Sequence, residues 1–377
     1  MSYERLTVLD EMFLQLEGPN THMHVGGIAI FEGEPPDYGD LLDTFSRRLH
    51  LVPRFRQKLA HVPLSLGRPV WVDDTHFNIE YHVRHTALPP PGSPDKLNRL
   101  CARIMSQQLD RTKPLWEIWF AEGLAGNRFA LISKTHHCLV DGVSGADIMS
   151  VVLDLAPEAP PIEPEPWRPS PEPGADRLIV DALRERLTSP AEIVRSAQSA
   201  AVDPAGLPGR ITETVKALGA WVSNSFAAPA SSLNQSIGPH RRFETVLVDL
   251  ADLKRVKNHF GGTVNDVVLS AVGGGLRRLL RGRGERVDEI ELKAMVPVSV
   301  RADHQRGTLG NQVANMWAAL PVYEPDPVER LRVITDEMAD LKLSGQAVGA
   351  QVLTTLGEYA PPTILAQASR LVSRQRA

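Results

Sequence analysis

Two adjacent histidines, His136 and His137, are followed by Asp141 four residues after the second and then by Gly142. Imidazole is the side chain best suited to taking a proton near neutral pH, so a histidine pair with a carboxylate in reach reads as acid–base chemistry. Asp141 is close enough along a tight loop to fold back beneath the pair, or it can pair with a distant arginine and lock the loop. Gly142 permits a backbone conformation that a Cβ would penalise, or a close approach to a ligand. A serine hydrolase elbow would read G-x-S-x-G; the chain has none, and Gly142-Val143-Ser144-Gly145 has the wrong spacing. Cys138, between the histidines and the aspartate, brings a thiol into consideration as well.

The elements around the pair decide what it can do. Residues 129–134 form an apolar run that reads as a strand, and residues 146–155 read as a short helix. Neighbouring side chains on a strand point to opposite faces, so one histidine should reach a site and the other should be buried as support. Gly126-Asn127 makes a hairpin turn between this strand and another over residues 114–124, rich in Trp116, Ile118, Trp119 and Phe120. Upstream, Leu6, Leu9, Phe13 and Leu16 recur at helical spacing within residues 1–17, and residues 25–31 form a strand candidate. His22 and His24 before that strand have i, i+2 spacing but no third ligand nearby, so no metal is expected. Residues 40–59 read as an amphipathic helix interrupted at Pro53, with Arg47, Arg48, Arg54, Arg56 and Lys58 on its edge. That basic edge reads first as a solvated face and second as a contact for anionic headgroups or phosphates. Residues 71–85 alternate like a strand, and Pro89-Pro90-Pro91-Gly92 is a hard break. Ser93 then reads as an N-cap with Pro94 at the first helical position, opening a helix striped with Leu97, Leu100, Cys101, Ile104, Met105 and Leu109.

Residues 157–173 hold eight prolines in seventeen positions, interleaved with glutamates, and should be extended and exposed. Helices broken by proline follow to about residue 226; their basic and apolar faces suit either a membrane surface or a linker packed across two domains. Residues 243–250 alternate as a strand, and residues 253–260 read as a helix ending at Gly261-Gly262. Thr263 can cap the next helix, which begins at Asn265-Asp266 and runs to about Arg281. Gly273-Gly274-Gly275 within it lacks the context and lysine of a phosphate loop and reads as close helix packing. Strands over 292–300 and 311–320, a long helix over 325–343 and a helical stretch over 353–372 complete the chain.

The bulk numbers exclude several classes. The 377 residues suit two domains, 42% hydrophobic and 23% charged content is ordinary for a globular protein, and a net charge of -4 gives no sign of a nucleic-acid partner. Two cysteines fit a reducing compartment. With no charged-then-apolar leader and no long apolar span, neither a signal peptide nor a spanning helix is expected, and the expected location is cytoplasmic.

The string H-H-x-x-x-D-G resembles the signature of the CoA-dependent acyltransferase superfamily. Four further stretches are similar to the bacterial wax ester synthase/acyl-CoA:diacylglycerol acyltransferase family. They are Leu6-Thr7-Val8-Leu9-Asp10-Glu11-Met12-Phe13, Pro114-Leu115-Trp116-Glu117, Asn265-Asp266-Val267-Val268, and Pro297-Val298-Ser299-Val300-Arg301 with Gly310-Asn311 after it. They stand in the family's order and span nearly the whole chain. The resemblance implies an α/β fold, a two-domain sandwich like chloramphenicol acetyltransferase. Residues 1–156 would be the first domain, 157–230 a proline-rich linker with crossover helices, and 231–377 a second domain incomplete at its C-terminus.

The same resemblance implies transfer of a long-chain acyl group from acyl-CoA, as co-substrate, to the hydroxyl of diacylglycerol or a fatty alcohol. No permanently bound cofactor or metal is expected, and the contact with membrane or lipid droplet would be peripheral. His137 is the expected general base and His136 its support, while Cys138 falls on an unspecified position of the signature, which favours packing. Asp141 is expected to hold the loop beside Gly142 through a salt bridge, with Arg301 the candidate partner. Asn265 and Asp266 open a helix whose first turn can face a developing oxyanion; capping alone also explains both, and the two readings stand together. The rivals are an acyltransferase using a carrier-protein donor and a non-catalytic lipid-binding protein of the same fold.

Overall fold

A computed structural model of the chain describes residues 3–140, 153–154, 162–184, 231–299 and 313–343. Asp141, Gly142, Arg301, Gly310-Asn311, most of 146–155 and all of 353–372 lie outside the described residues.

The histidine pair sits at the end of the central strand of a four-stranded sheet. That sheet orders β2 (His24–Glu32), β7 (Arg128–His136), β6 (Trp116–Leu124) and β5 (Val83–Ala87). β2 and β6 both run antiparallel to β7, and β5 runs parallel to β6. Flanked on both sides, β7 is buried continuously from Ala130 to His136, the pattern of a strand covered on both faces. The β6–β7 turn places Gly126 and Asn127 at φ of 82° and 53°, the left-handed pair a tight hairpin requires.

One face of the sheet packs on α1 (Val8–Leu16) and α2 (Tyr38–Arg48) through Leu14, Phe45, Trp116, Ile118, Phe120 and Leu131. The other carries α4 (Pro94–Met105), whose stripe of Leu97, Leu100, Cys101 and Ile104 meets Ala121, Ala130 and Ile132. A second sheet of β1 (Glu4–Arg5), β4 (Val70–Asp73) and β3 (Gln57–Ala60) packs Val70, Val72 and Ala60 against Leu178 and Ala182. Residues 175–184 are helical.

Three expectations shift. The helix predicted over 40–59 is α2 alone, capped by Asp37. Pro53 forces Val52 to φ -132°, ψ 66°, and the chain continues in short 3₁₀ turns into β3. The strand predicted over 71–85 divides into β4, a turn, α3 (Ile79–His82) and β5. Asp74 and Asn78 side chains accept the N–H groups of His76 and Glu80 at 3.1 and 3.0 Å, local bonds that favour turning over a ladder. Of the basic edge only Arg47 is exposed to solvent. Arg48 pairs with Asp154 at 2.5 Å, Arg54 with Glu4, and Lys58 with Glu172 at 3.0 Å, while Arg56 lies 4.7 Å over the Trp167 ring. Residues 162–173 of the proline-rich segment form no helix or strand, and Trp167 and Glu172 hold them on the small sheet.

Beyond residue 231 the described chain contains α6 (Leu250–Phe260), α7 (Val264–Gly282), β8 (Leu292–Ser299), β9 (Val313–Leu320) and α8 (Pro327–Leu343). β8 and β9 pair antiparallel, and Val296 and Ala318 pack on Ile334 and Met338 of α8. Of the three α7 glycines, Gly273 and Gly274 serve close packing and Gly275 faces open space: a Cβ on Gly274 would lie 2.7 Å from an Arg330 guanidinium nitrogen, and that arginine's Nε donates to Ser270 O at 3.0 Å. Residues 243–249 enter no ladder, and Val246 and Leu247 are 86% and 101% exposed. Alternation marks two faces but supplies no partner strand, and among the described residues none lies beside this stretch.

Candidate active site

β7 ends at His136, and the short helix α5 (His137–Val140) begins at the next residue, so the strand-to-helix change falls between the two rings. Two main-chain bonds fix that corner. His136 N–H donates to Leu115 O at 2.9 Å, and His137 N–H donates to Met23 O at 2.8 Å. The Pro114-Leu115-Trp116-Glu117 stretch therefore contacts the histidine pair directly. Trp116 is anchored by Nε1–H donating to Phe55 O at 2.8 Å and by stacking on His82 at 4.6 Å.

The rings occupy different environments. His136 is fully buried, opposite His24 in the β2–β7 register. Its Nδ1 accepts Cys138 N–H at 3.2 Å, and its Nε2 faces Glu17 Oε2 at 3.8 Å. Burial pushes the His136 imidazole down to about 4, against the pull of the Glu17 carboxylate, so it is neutral at pH 7. His137 is half-buried and stacks on Phe13 of α1, ring centroids 4.4 Å apart and planes 22° apart. Its Nδ1 is buried with no hydrogen-bond partner among the described residues. The two rings do differ in burial, but strand geometry stops at His136, so the strand-to-helix change rather than strand alternation separates them. Cys138 is 1% exposed, with Sγ 2.9 Å from His136 Nδ1, and burial pushes its thiol well above the usual range; it packs rather than attacks.

Sequence reasoning missed the groups beneath His136. Glu17 ends α1 with its side chain 2% exposed, bound by Arg111 Nε and Nη2 at 2.9 and 2.6 Å. His24 Nε2 lies 3.2 Å from Glu17 Oε1. Burial alone would raise the Glu17 carboxyl, but His24 and Arg111 hold it at about 2. Lys134, two residues before His136, is also buried and donates Nζ–H to Gln107 O at 2.5 Å; burial lowers its ammonium. The signal for these residues was faint: a glutamate closing an apolar helix and a histidine opening a strand, joined only by register. Outside His24, a cavity of about 210 Å³ opens between α4 and residues 241–243, lined by His22, Met105, Arg242 and Phe243 among others. No group of His, Cys, Asp and Glu among the described residues is arranged to hold a metal.

Asp141, Gly142 and Arg301 fall outside the described residues, and Asn265 and Asp266 lie in the first turn of α7. Thr263 caps α7, and Asp266 reaches back to its N–H at 2.7 Å while Asp266 N–H donates to Thr263 Oγ1 at 3.2 Å, a reciprocal capping box. Asn265 is exposed in the first turn. No hydrogen bond or ion pair among the described residues joins Asn265 or Asp266 to either histidine.

Comparison with known proteins converges on one family. Residues 6–268 match the model of the wax ester synthase/diacylglycerol acyltransferase catalytic domain, and residues 309–376 match that of the WS/DGAT C-terminal domain. A Mycobacterium tuberculosis protein named a probable diacylglycerol O-acyltransferase is 32% identical over 98% of this chain and 78% of its own length. The solved wax ester synthase/diacylglycerol acyltransferase from Marinobacter aquaeolei VT8 is 28% identical, with a TM-score of 0.64 over 97% of this chain and 79% of that one. The first condensation domain of the calcium-dependent antibiotic synthetase shares the fold, with a TM-score of 0.50 at 15% identity over 92% of this chain and 76% of that one.

Proposed function

This chain belongs to the wax ester synthase/diacylglycerol acyltransferase family, and from that premise we propose the roles its residues take in the reaction. The enzyme is an O-acyltransferase that moves an acyl group to the hydroxyl of diacylglycerol or a long-chain alcohol. Acyl-CoA is the co-substrate this family implies. The observation that carries the residue assignment is the contrast between the two rings: His136 is sealed in and neutral, while His137 is half-buried and held flat on Phe13.

His137 is the general base. Its buried Nδ1 leaves Nε2 as the atom to meet substrate. Nε2 takes the proton from the acceptor hydroxyl as that oxygen attacks the thioester carbonyl. The new C–O bond forms, the C–S bond breaks, and the imidazolium returns its proton to the departing thiolate, giving ester and free CoA. Positioned proton transfer of this kind contributes roughly 10² to 10⁴-fold. No covalent enzyme intermediate is needed, because a thioester is already reactive. Asp141 holds the loop beside Gly142, with Arg301 as its partner. Asn265, in the first turn of α7, stabilises the oxyanion, while Asp266 caps the helix.

The division of the chain into residues 1–156, a linker over 157–230 and residues 231–377 completes this reading. The apolar substrates favour work at a membrane or lipid-droplet surface on the cytoplasmic side. No helix among the described residues is long and apolar enough to cross a membrane; the contact proposed is peripheral. Labelled palmitoyl-CoA offered with diacylglycerol or hexadecanol tests the activity and its acceptor by the ester formed. Ester from an acylated carrier protein but not from acyl-CoA would overturn the donor assignment.

A further inference from the structure

The mechanism gives no task to the Glu17 carboxylate, whose side chain is buried beneath His136. Arg111 holds it with two bonds to Oε2, at 2.9 and 2.6 Å, and also ties Nη2 to Leu14 O at 2.8 Å, so the carboxylate is fixed to α1. Its Oε1 lies 3.2 Å from His24 Nε2, and its Oε2 lies 3.8 Å from His136 Nε2. The second distance is longer than a hydrogen bond and acts as a charge–dipole contact. A carboxylate only accepts, so the ring edges facing it are favoured as N–H donors.

The other nitrogen of His136 makes the same demand. Nδ1 accepts the main-chain N–H of Cys138 at 3.2 Å, and an accepting nitrogen carries no proton. The His136 proton therefore sits on Nε2, facing Glu17. This ring bond spans His137, whose own N–H is held by Met23 O at 2.8 Å. With the proton on Nδ1 instead, that N–H would have only the weakly accepting Cys138 Sγ at 2.9 Å, and the Cys138 main-chain N–H would lose its acceptor. The corner would open, and His137 would lose its place on Phe13.

We propose that Glu17, clamped by Arg111 and shared with His24, is a positioning residue that holds His136 in its Nε2–H form and so fixes the backbone on both sides of His137. One helix then serves both rings: α1 presents Phe13 to His137 and ends at Glu17 beneath His136. The kinetic part rests on His137 as the base; the tautomer part does not.

The test compares the unaltered chain with Glu17→Gln. Glutamine keeps the size but removes the charge: Arg111 holds the amide oxygen where Oε2 stood, so His136 Nε2 then faces a neutral oxygen and His24 an NH₂. Imidazole ¹⁵N NMR at neutral pH, with His136 assigned by the signal lost in His136→Asn, reads the tautomer without any turnover. The expected wild-type ring has a protonated Nε2 and a bare Nδ1. In Glu17→Gln, with circular dichroism showing a retained fold, the Nε2–H fraction should fall, because only the Cys138 N–H then favours it; an unchanged tautomer would overturn the proposal. The same variant should lose kcat by roughly 10 to 100-fold, the cost typical of removing the partner that orients a functional imidazole, with KM for acyl-CoA unchanged. A wild-type His136 protonated on Nδ1 would overturn the proposal even if the variant failed to fold. So would a folded Glu17→Gln with wild-type kcat. A chain that transferred no acyl group would sink the assignment of His137, and the NMR comparison would then decide the positioning claim alone.

Discussion

At the scale of single residues, neighbours in sequence have been given opposite environments. His136 is excluded from water and kept neutral, whereas His137 keeps one side of its ring open. The pair, the aspartate and the glycine were legible because their spacing is local. Glu17, Arg111 and His24 were not, because they meet His136 through strand register and the far end of a helix. Residue chemistry also separates the two readings of the α7 N-terminus. Thr263→Ala removes one half of the capping box and should lower stability by about 1 kcal/mol in a thermal melt. Asn265→Ala should leave the melt unchanged and lower kcat by roughly 10² to 10³-fold, the usual loss of an oxyanion donor. An Asn265→Ala enzyme with full kcat would return that residue to a purely local role.

At the scale of elements, the site depends on a central strand that is covered on both faces. Most elements near it were readable from pattern, since the α4 stripe and the β6–β7 hairpin are local periodicities with clear punctuation. The helix over 40–59 and the strand over 71–85 were read too long, because Pro53 and the Asp74 and Asn78 side chains redirect the backbone where apolar spacing continues. Leu100 on α4 packs beneath the strand that carries His136. Leu100→Ala should destabilise the chain by about 2–5 kcal/mol in urea unfolding, as for other buried leucines. A loss well under 1 kcal/mol would mean that α4 is not a rigid support for the sheet.

At the scale of the whole molecule, buried imidazoles near the site tie its integrity to pH. Burial lowers both His136 and His82 from 6.5 to about 4, each partly opposed by a nearby hydrogen-bond or carboxylate partner. Because the folded chain resists protonating them, the unfolded chain binds more protons between those limits. Their contribution to stability is thus complete above about pH 6.5 and is lost as pH falls through about 4. The Glu17 carboxyl, held at about 2, retains its contribution until lower pH. Denaturation midpoints measured from pH 8 to pH 4 should fall mainly below pH 6.5, and a flat profile would contradict the burial of these rings. The family was legible at this scale because five short stretches keep their order along the chain. The way residues 243–249 sit without a ladder was not, because alternation carries no information about a partner.

The most direct measurement is thiol release from palmitoyl-CoA by the purified chain, with and without diacylglycerol or hexadecanol, beside a His137→Ala variant whose fold is verified by circular dichroism. The account predicts acceptor-dependent release from the wild type and a loss of roughly 10² to 10⁴-fold in the variant. A folded His137→Ala enzyme that released thiol at the wild-type rate would contradict it.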